Sequence, residues 1–110
     1  MSEVEDLIKK IANQRGVTGC MVFNNQGIII RTTLEQSLTI HYAALITQLC
    51  NHTKNTVKKL DDGDDLTFIR LRTTKNEILV APGFSRIFSS HLSSLSDRDY
   101  ILVVIQVPVV

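Results

Sequence analysis

The chain has 110 residues, 44% hydrophobic and 21% charged, which suits one globular domain with a single core. Twelve Lys and Arg offset eleven Asp and Glu, and a net charge of +1 supplies no field to gather nucleic acid or an anionic membrane. The longest aliphatic run, Ile101 to Ile105, is far below the roughly 20 residues that cross a bilayer.

The acidic start, Met1-Ser2-Glu3-Val4-Glu5-Asp6, is unlike a secretory signal, so a soluble cytosolic chain without membrane insertion is expected. Ser2 followed by Glu5 has the spacing of a capping box. Val4, Leu7, Ile8, Ile11 and Ala12 then recur at helical spacing before Gly16, which predicts a first helix. Val17 to Phe23 and Ile28 to Thr33 are β-rich and flank Asn24-Asn25-Gln26-Gly27, the composition of a tight hairpin turn.

A helical period returns from about Ser37 to Leu60, with Leu38, Tyr42, Leu45, Ile46, Leu49, Cys50, Val57 and Leu60 on one broad stripe. Such a helix would run about 36 Å, whereas strands of six or seven residues reach about 20 to 24 Å. The helix is longer than its own sheet needs, and part of its apolar stripe is free for another molecule. Asp61-Asp62-Gly63-Asp64-Asp65 reads as the helix end and a turn, because an EF-hand loop would need ligands spread over twelve residues and a second helix.

Leu66 to Arg72 and Glu77 to Ala81 form a second hairpin pattern across Thr73-Thr74-Lys75-Asn76. The last strand, Tyr100 to Val107, is apolar on both faces and needs a cover on each. The predicted fold is α/β: a five-stranded antiparallel sheet with one helix on each face. A single domain is expected over 1–110. Within it, 83–98 stands out: six of the twelve residues from Ser85 to Ser96 are serine, yet Phe84, Ile87, Phe88, Leu92 and Leu95 fall on one helical face.

Candidate chemistry is sparse. Cys20 and Cys50 are thirty positions apart and read as reduced, buried small hydrophobes. His41 and His52 share a helix face but are separated by about 16 Å along the axis, too far to hold one metal ion. His91 stands apart from both. No nucleophile elbow, P-loop or GxGxxG loop occurs. Arg70, Arg72 and Lys75 have only Phe68 beside them, a poor platform for RNA bases. The chain is expected to be a binding protein without catalytic residues, metal or cofactor.

Several stretches, in the right order, are similar to roadblock-type dynein light chains. They are Glu3-Val4-Glu5 with Gly16-Val17-Thr18-Gly19, Asn25-Gln26-Gly27-Ile28, Asp65-Leu66-Thr67-Phe68-Ile69-Arg70-Leu71-Arg72, Lys75-Asn76-Glu77-Ile78-Leu79-Val80-Ala81-Pro82 and Asp99-Tyr100-Ile101-Leu102-Val103-Val104-Ile105-Gln106. The resemblance runs from Met1 to about Pro82 and resumes from Arg98 to Pro108. It departs from the family near Gly83 to Asp97, where about fifteen residues are inserted: a contact loop of the lineage, or retained non-coding sequence.

The resemblance implies a non-catalytic accessory subunit of the dynein motor, a homodimer or a pair with a paralogous light chain. The long second helices would pack together, and the third strands would pair into one ten-stranded sheet. The dimer would hold a segment of the dynein intermediate chain, in the cytoplasm on the microtubule cytoskeleton or in a ciliary axoneme. Dimer contacts are then expected at Tyr42, Ile46, Leu49, Cys50 and Thr53 on the helix and at Thr67, Phe68, Ile69 and Arg70 on the strand. Partner contacts are expected at Val4, Leu7, Lys10 and Ile11 on the first helix. Roadblock-fold dimers elsewhere serve as platforms for small GTPases, which is the alternative reading. An enzyme using Cys50 or His41 is a remote third.

Overall fold

The computed structural model describes residues 2–83 and 100–108, with side chains described from residue 5 onward. The expected inserted segment therefore lies outside the described residues, apart from Gly83 at its start. The first helix, α1 (Ser2–Ala12), carries Lys9 and Lys10 in its last turn, where cations favour the negative end of the helix dipole. Gly16, at φ 88°, then turns the chain into β1 (Val17–Asn24).

β1 and β2 (Ile29–Thr32) form the expected antiparallel hairpin. Its turn is closed by Asn24: the side-chain Oδ1 accepts from the N–H groups of Gln26 at 2.9 Å and Ile28 at 3.0 Å. Gly27 sits at φ 84°, a conformation that an L side chain resists.

The long helix α2 (Gln36–Leu60) is one uninterrupted element, as the period predicts. Its N-cap is Glu35, whose Oε1 accepts from Leu38 N–H at 2.7 Å and from the Ser37 hydroxyl. At the other end Asp61 N–H still bonds Val57 O at 3.0 Å, and Asp61 Oδ1 takes Gly63 N–H at 3.0 Å. The acidic run thus stops the helix and forms the turn, with Lys58 Nζ 2.9 Å from Asp65 Oδ1.

β3 (Ile69–Arg72), β4 (Glu77–Ala81) and β5 (Tyr100–Gln106) complete one antiparallel sheet in the order β2-β1-β5-β4-β3. The predicted five-stranded sheet between two helices is what the chain forms. On the α1 side Ile8, Cys20, Val22, Tyr100 and Val104 are packed together; on the α2 side Met21, Phe23, Ala43, Ile46, Cys50, Val80, Ile101, Val103 and Ile105 form the larger core. β5 is central and buried on both faces, which explains its unbroken apolar sequence.

The third strand is shorter than its sequence suggests. Leu66 to Arg72 reads as one strand, yet the ladder covers only Ile69 to Arg72. The register Ile69↔Val80 would set Phe68 against Ala81, the last residue of β4, and Thr67 against Pro82, which has no N–H to donate. Thr67 and Phe68 therefore precede the strand. β5 likewise ends at Gln106 rather than Val107, although Val107 N–H still reaches Gly16 O at 2.8 Å.

Candidate interaction surface

The row of α2 that faces the sheet is Thr39, Ala43, Ile46 and Cys50. Past Cys50 no residue of the helix is buried, so its last ten residues outrun the core. One residue back from each core position, about 100° around the helix, stand Leu38, Tyr42, Leu45 and Leu49. Leu38 is 41% exposed and Leu45 52%, while Tyr42 and Leu49 are half-buried against the core. The same spacing continues through Thr53 and Thr56 to Leu60, which is 82% exposed. Both threonine hydroxyls donate back to the helix, Thr53 to Leu49 O at 2.7 Å and Thr56 to His52 O at 3.1 Å. The seam these residues form is apolar, in steps of three and four residues, the spacing that another helix can interdigitate.

Thr47 lies on the other flank of α2 and faces the β1–β2 turn, where a Cβ on Gly27 would stand 3.5 Å from Thr47 Oγ1. The seam consequently faces the β4–β3 half of the sheet. There the edge strand β3 pairs on one side only, with β4. Phe68, immediately before it, is 52% exposed. An exposed apolar seam and an open strand edge lie side by side.

The edge is organised from beneath by Glu77. This first residue of β4 keeps a side chain only 1% exposed, and its carboxylate takes four contacts. Arg70 donates to Oε2 from Nε at 2.9 Å and from Nη2 at 2.8 Å, Arg72 Nε lies 3.6 Å from the same oxygen, and Gln106 Nε2 donates to Oε1 at 2.6 Å. The Gln106 hydrogen bond and the two guanidiniums hold the Glu77 carboxyl below its ordinary range. Both arginines remain half-exposed, at 60% and 53%, so they present charge at the edge while anchored to it.

The expected contact residues divide in two. Tyr42, Leu49, Thr53, Phe68, Ile69 and Arg70 lie on the seam or along the edge, and Thr67 is exposed just before Phe68. Ile46 and Cys50 do not belong to that set: at 6% and 1% exposure they fill the protomer's own core, one residue around the helix from the seam. Leu38, Leu45 and Leu60 take their place, having been visible in the periodicity but not assigned to a surface.

On α1, Leu7 and Ile11 are half-buried against the core and Lys10 points outward, while the Val4 side chain lies outside the described residues. Glu5 pairs with Arg31 of β2 and ties that helix to the sheet. Glu77 escaped notice in the sequence, although counting back across the Thr73–Asn76 turn sets it directly opposite Arg72.

Cys20 and Cys50 are free thiols, and burial pushes Cys20 up to about 11. Among the described residues no group of three or more His, Cys, Asp or Glu side chains could hold a metal ion, and no helix is long and apolar enough to cross a membrane.

These features define a class: a small two-helix sheet domain with an exposed apolar helix seam beside a strand whose outer edge is open. The chain belongs to the Roadblock/LC7 domain family, whose pattern it matches over residues 3–88. Its fold is similar to that of the Roadblock/LC7 domain from Streptomyces avermitilis, with TM-score 0.73, 15% identity, and 93% of this chain and 77% of the other covered. It is also similar to the gliding protein MglB from Thermus thermophilus, with TM-score 0.72, 11% identity and coverages of 96% and 72%. MglC from Myxococcus xanthus is 20% identical, with TM-score 0.53 and coverages of 97% and 81%.

Proposed function

We propose that this protein is a non-catalytic scaffold that works as a homodimer, its two copies joined along the α2 seam and the β3 edge into one ten-stranded sheet that docks a partner protein. The observation that carries this reading is the exposed seam of Leu38, Leu45 and Leu60 flanking an open strand edge at Phe68. A bare edge is a template for uncontrolled pairing, and a second copy closes it by symmetry. The seam and the edge face the same way, so one partner covers both.

A small GTPase is the partner class we put first. Its support is the likeness of the fold to MglB, a gliding protein that also occurs in a tetrameric arrangement, together with the use of roadblock-fold dimers as GTPase platforms. The second reading is a dynein light chain that holds a segment of the intermediate chain, in the cytoplasm on microtubules or in an axoneme. A different observation favours it: the stretches Asp65 to Arg72 and Lys75 to Pro82, whose sequence is similar to roadblock-type dynein light chains.

Both readings are tested on the purified chain used as bait. Capture of a GTPase in only one nucleotide state supports the first reading, and capture of an intermediate-chain segment regardless of nucleotide supports the second. A dimer that captures neither would refute both partner assignments.

A further inference from the structure

The sheet has a second open edge at its other end. β2 pairs only with β1, and its sequence is suited to further pairing. Ile28-Ile29-Ile30 is an uncharged run of β-branched apolar residues, the composition that adds strands most readily. Ile28, just before the strand, is 56% exposed.

Two features oppose another strand there. Val22 stands opposite Arg31 and Phe23 opposite Ile29, so Ile30 has no partner on β1 and the strand bulges at that point. Ile29 packs on the α2 side, Ile30 packs on the α1 side, and Arg31, opposite Val22, lies on the α1 side as well. The charge that follows the isoleucine run therefore stands on the edge strand itself. Glu5 of α1 pairs with it, and Lys9 lines the same cleft. The pair is only partly buried, and a strand laid beside β2 would have to take it out of water. A charge and a bulge are the means by which sheet edges are kept from growing. β3 differs: its four pairs with β4 run without a shift, and its arginines are drawn back over the sheet by Glu77 of the neighbouring strand.

We propose that Arg31 closes the β2 edge to a second copy of this chain, so that the protein self-associates at one end of its sheet only. Thr33 N–H donates to Cys20 O at 2.9 Å, so the alternating main-chain groups of Thr32 turn away from β1 and toward the outer edge. These are the groups whose pairing Arg31 withholds. The closure applies to a single chain as much as to a dimer. It has a further consequence that rests on the homodimer reading above: a dimer joined at β3 keeps one β2 edge at each end of its sheet. Were those edges to pair as well, the sheet would grow into an open ribbon. Arg31 stops it at two copies.

The test is the mass in solution of Arg31→Val, Arg31→Thr and Arg31→Lys beside that of the wild type, with amide exchange at Thr32 followed in each. Arg31 is exposed, so its replacement leaves the core intact, and Arg31→Thr covers an Arg31→Val chain that proves insoluble. Both uncharged variants are expected to at least double the wild-type mass. In the larger species Thr32 N–H should exchange about tenfold more slowly. Arg31→Lys, which retains a charge, should keep the wild-type mass.

Uncharged variants that keep the wild-type mass overturn the inference and leave the homodimer reading untouched. Growth without slower exchange at Thr32 also overturns it, because the copies then join elsewhere. So does growth of Arg31→Lys equal to that of Arg31→Val. A monomeric wild type whose Arg31→Val variant is a dimer protected at Thr32 would refute the homodimer and support the closure of β2.

Discussion

A carboxylate that is 1% exposed persists only where its lone pairs and charge are answered, and Glu77 is answered by Arg70, Arg72 and Gln106. Because the folded state lowers the Glu77 pKa from its ordinary 4.5, its contribution to stability is full above that value. The contribution is lost as the pH falls through the lower folded value. Urea midpoints measured from pH 6 down to pH 3 should therefore drop on the acid side, and Glu77→Gln should start lower and flatten that drop. An unchanged acid limb in the variant would mean that the carboxylate is not held by these partners.

Gly27 makes a second prediction: Gly27→Ala forces a β-carbon into φ 84° and should cost about 1 to 2 kcal/mol in the same assay. Native Cys20, pushed up to about 11, should resist a maleimide at pH 8 until the chain unfolds. Gly27 was readable from its turn composition. Glu77 was not, because its burial depends on a hairpin register and on Gln106, twenty-nine positions away.

The long helix carries two apolar rows in one sequence period, and the period alone does not say which row faces the sheet. Leu45 and Ile46 are neighbours in sequence and equally apolar, yet one is 52% exposed and the other 6%. They should respond oppositely. Ile46→Ala should cost about 2 to 5 kcal/mol of folding stability as a core cavity. Leu45→Asp should leave the urea midpoint of the monomeric protomer nearly unchanged and weaken self-association at least tenfold, as read by sedimentation.

The rotation of one residue between the two rows explains why Ile46 and Cys50 were expected in an interface and are core instead. The helix bounds, the two hairpins and the doubly buried β5 were legible because they depend on local pattern. The true length of β3 was not, since strand assignment requires a neighbour, and beyond Val80 its neighbour runs out at Ala81 and Pro82. The N-cap Glu35, outside the usual Ser, Thr, Asp and Asn, was equally hidden.

At the scale of the molecule, helix and sheet each leave one side open in the same direction. The seam from Leu38 to Leu60 and the β3 edge both face away from the β1–β2 turn, and the two arginines that Glu77 anchors stand along that edge on the α1 side of the sheet. Neither surface is covered by the protomer's own packing, and in the proposed assembly a second copy related by two-fold symmetry would cover both at once. Partner capture by the sheet presupposes that assembly. The most direct measurement is therefore the mass in solution by light scattering at about ten micromolar. The account predicts a single species of twice the 12.3 kDa chain mass, shifted toward the monomer by Leu45→Asp. A wild-type species that stays at the mass of one chain at that concentration would contradict it.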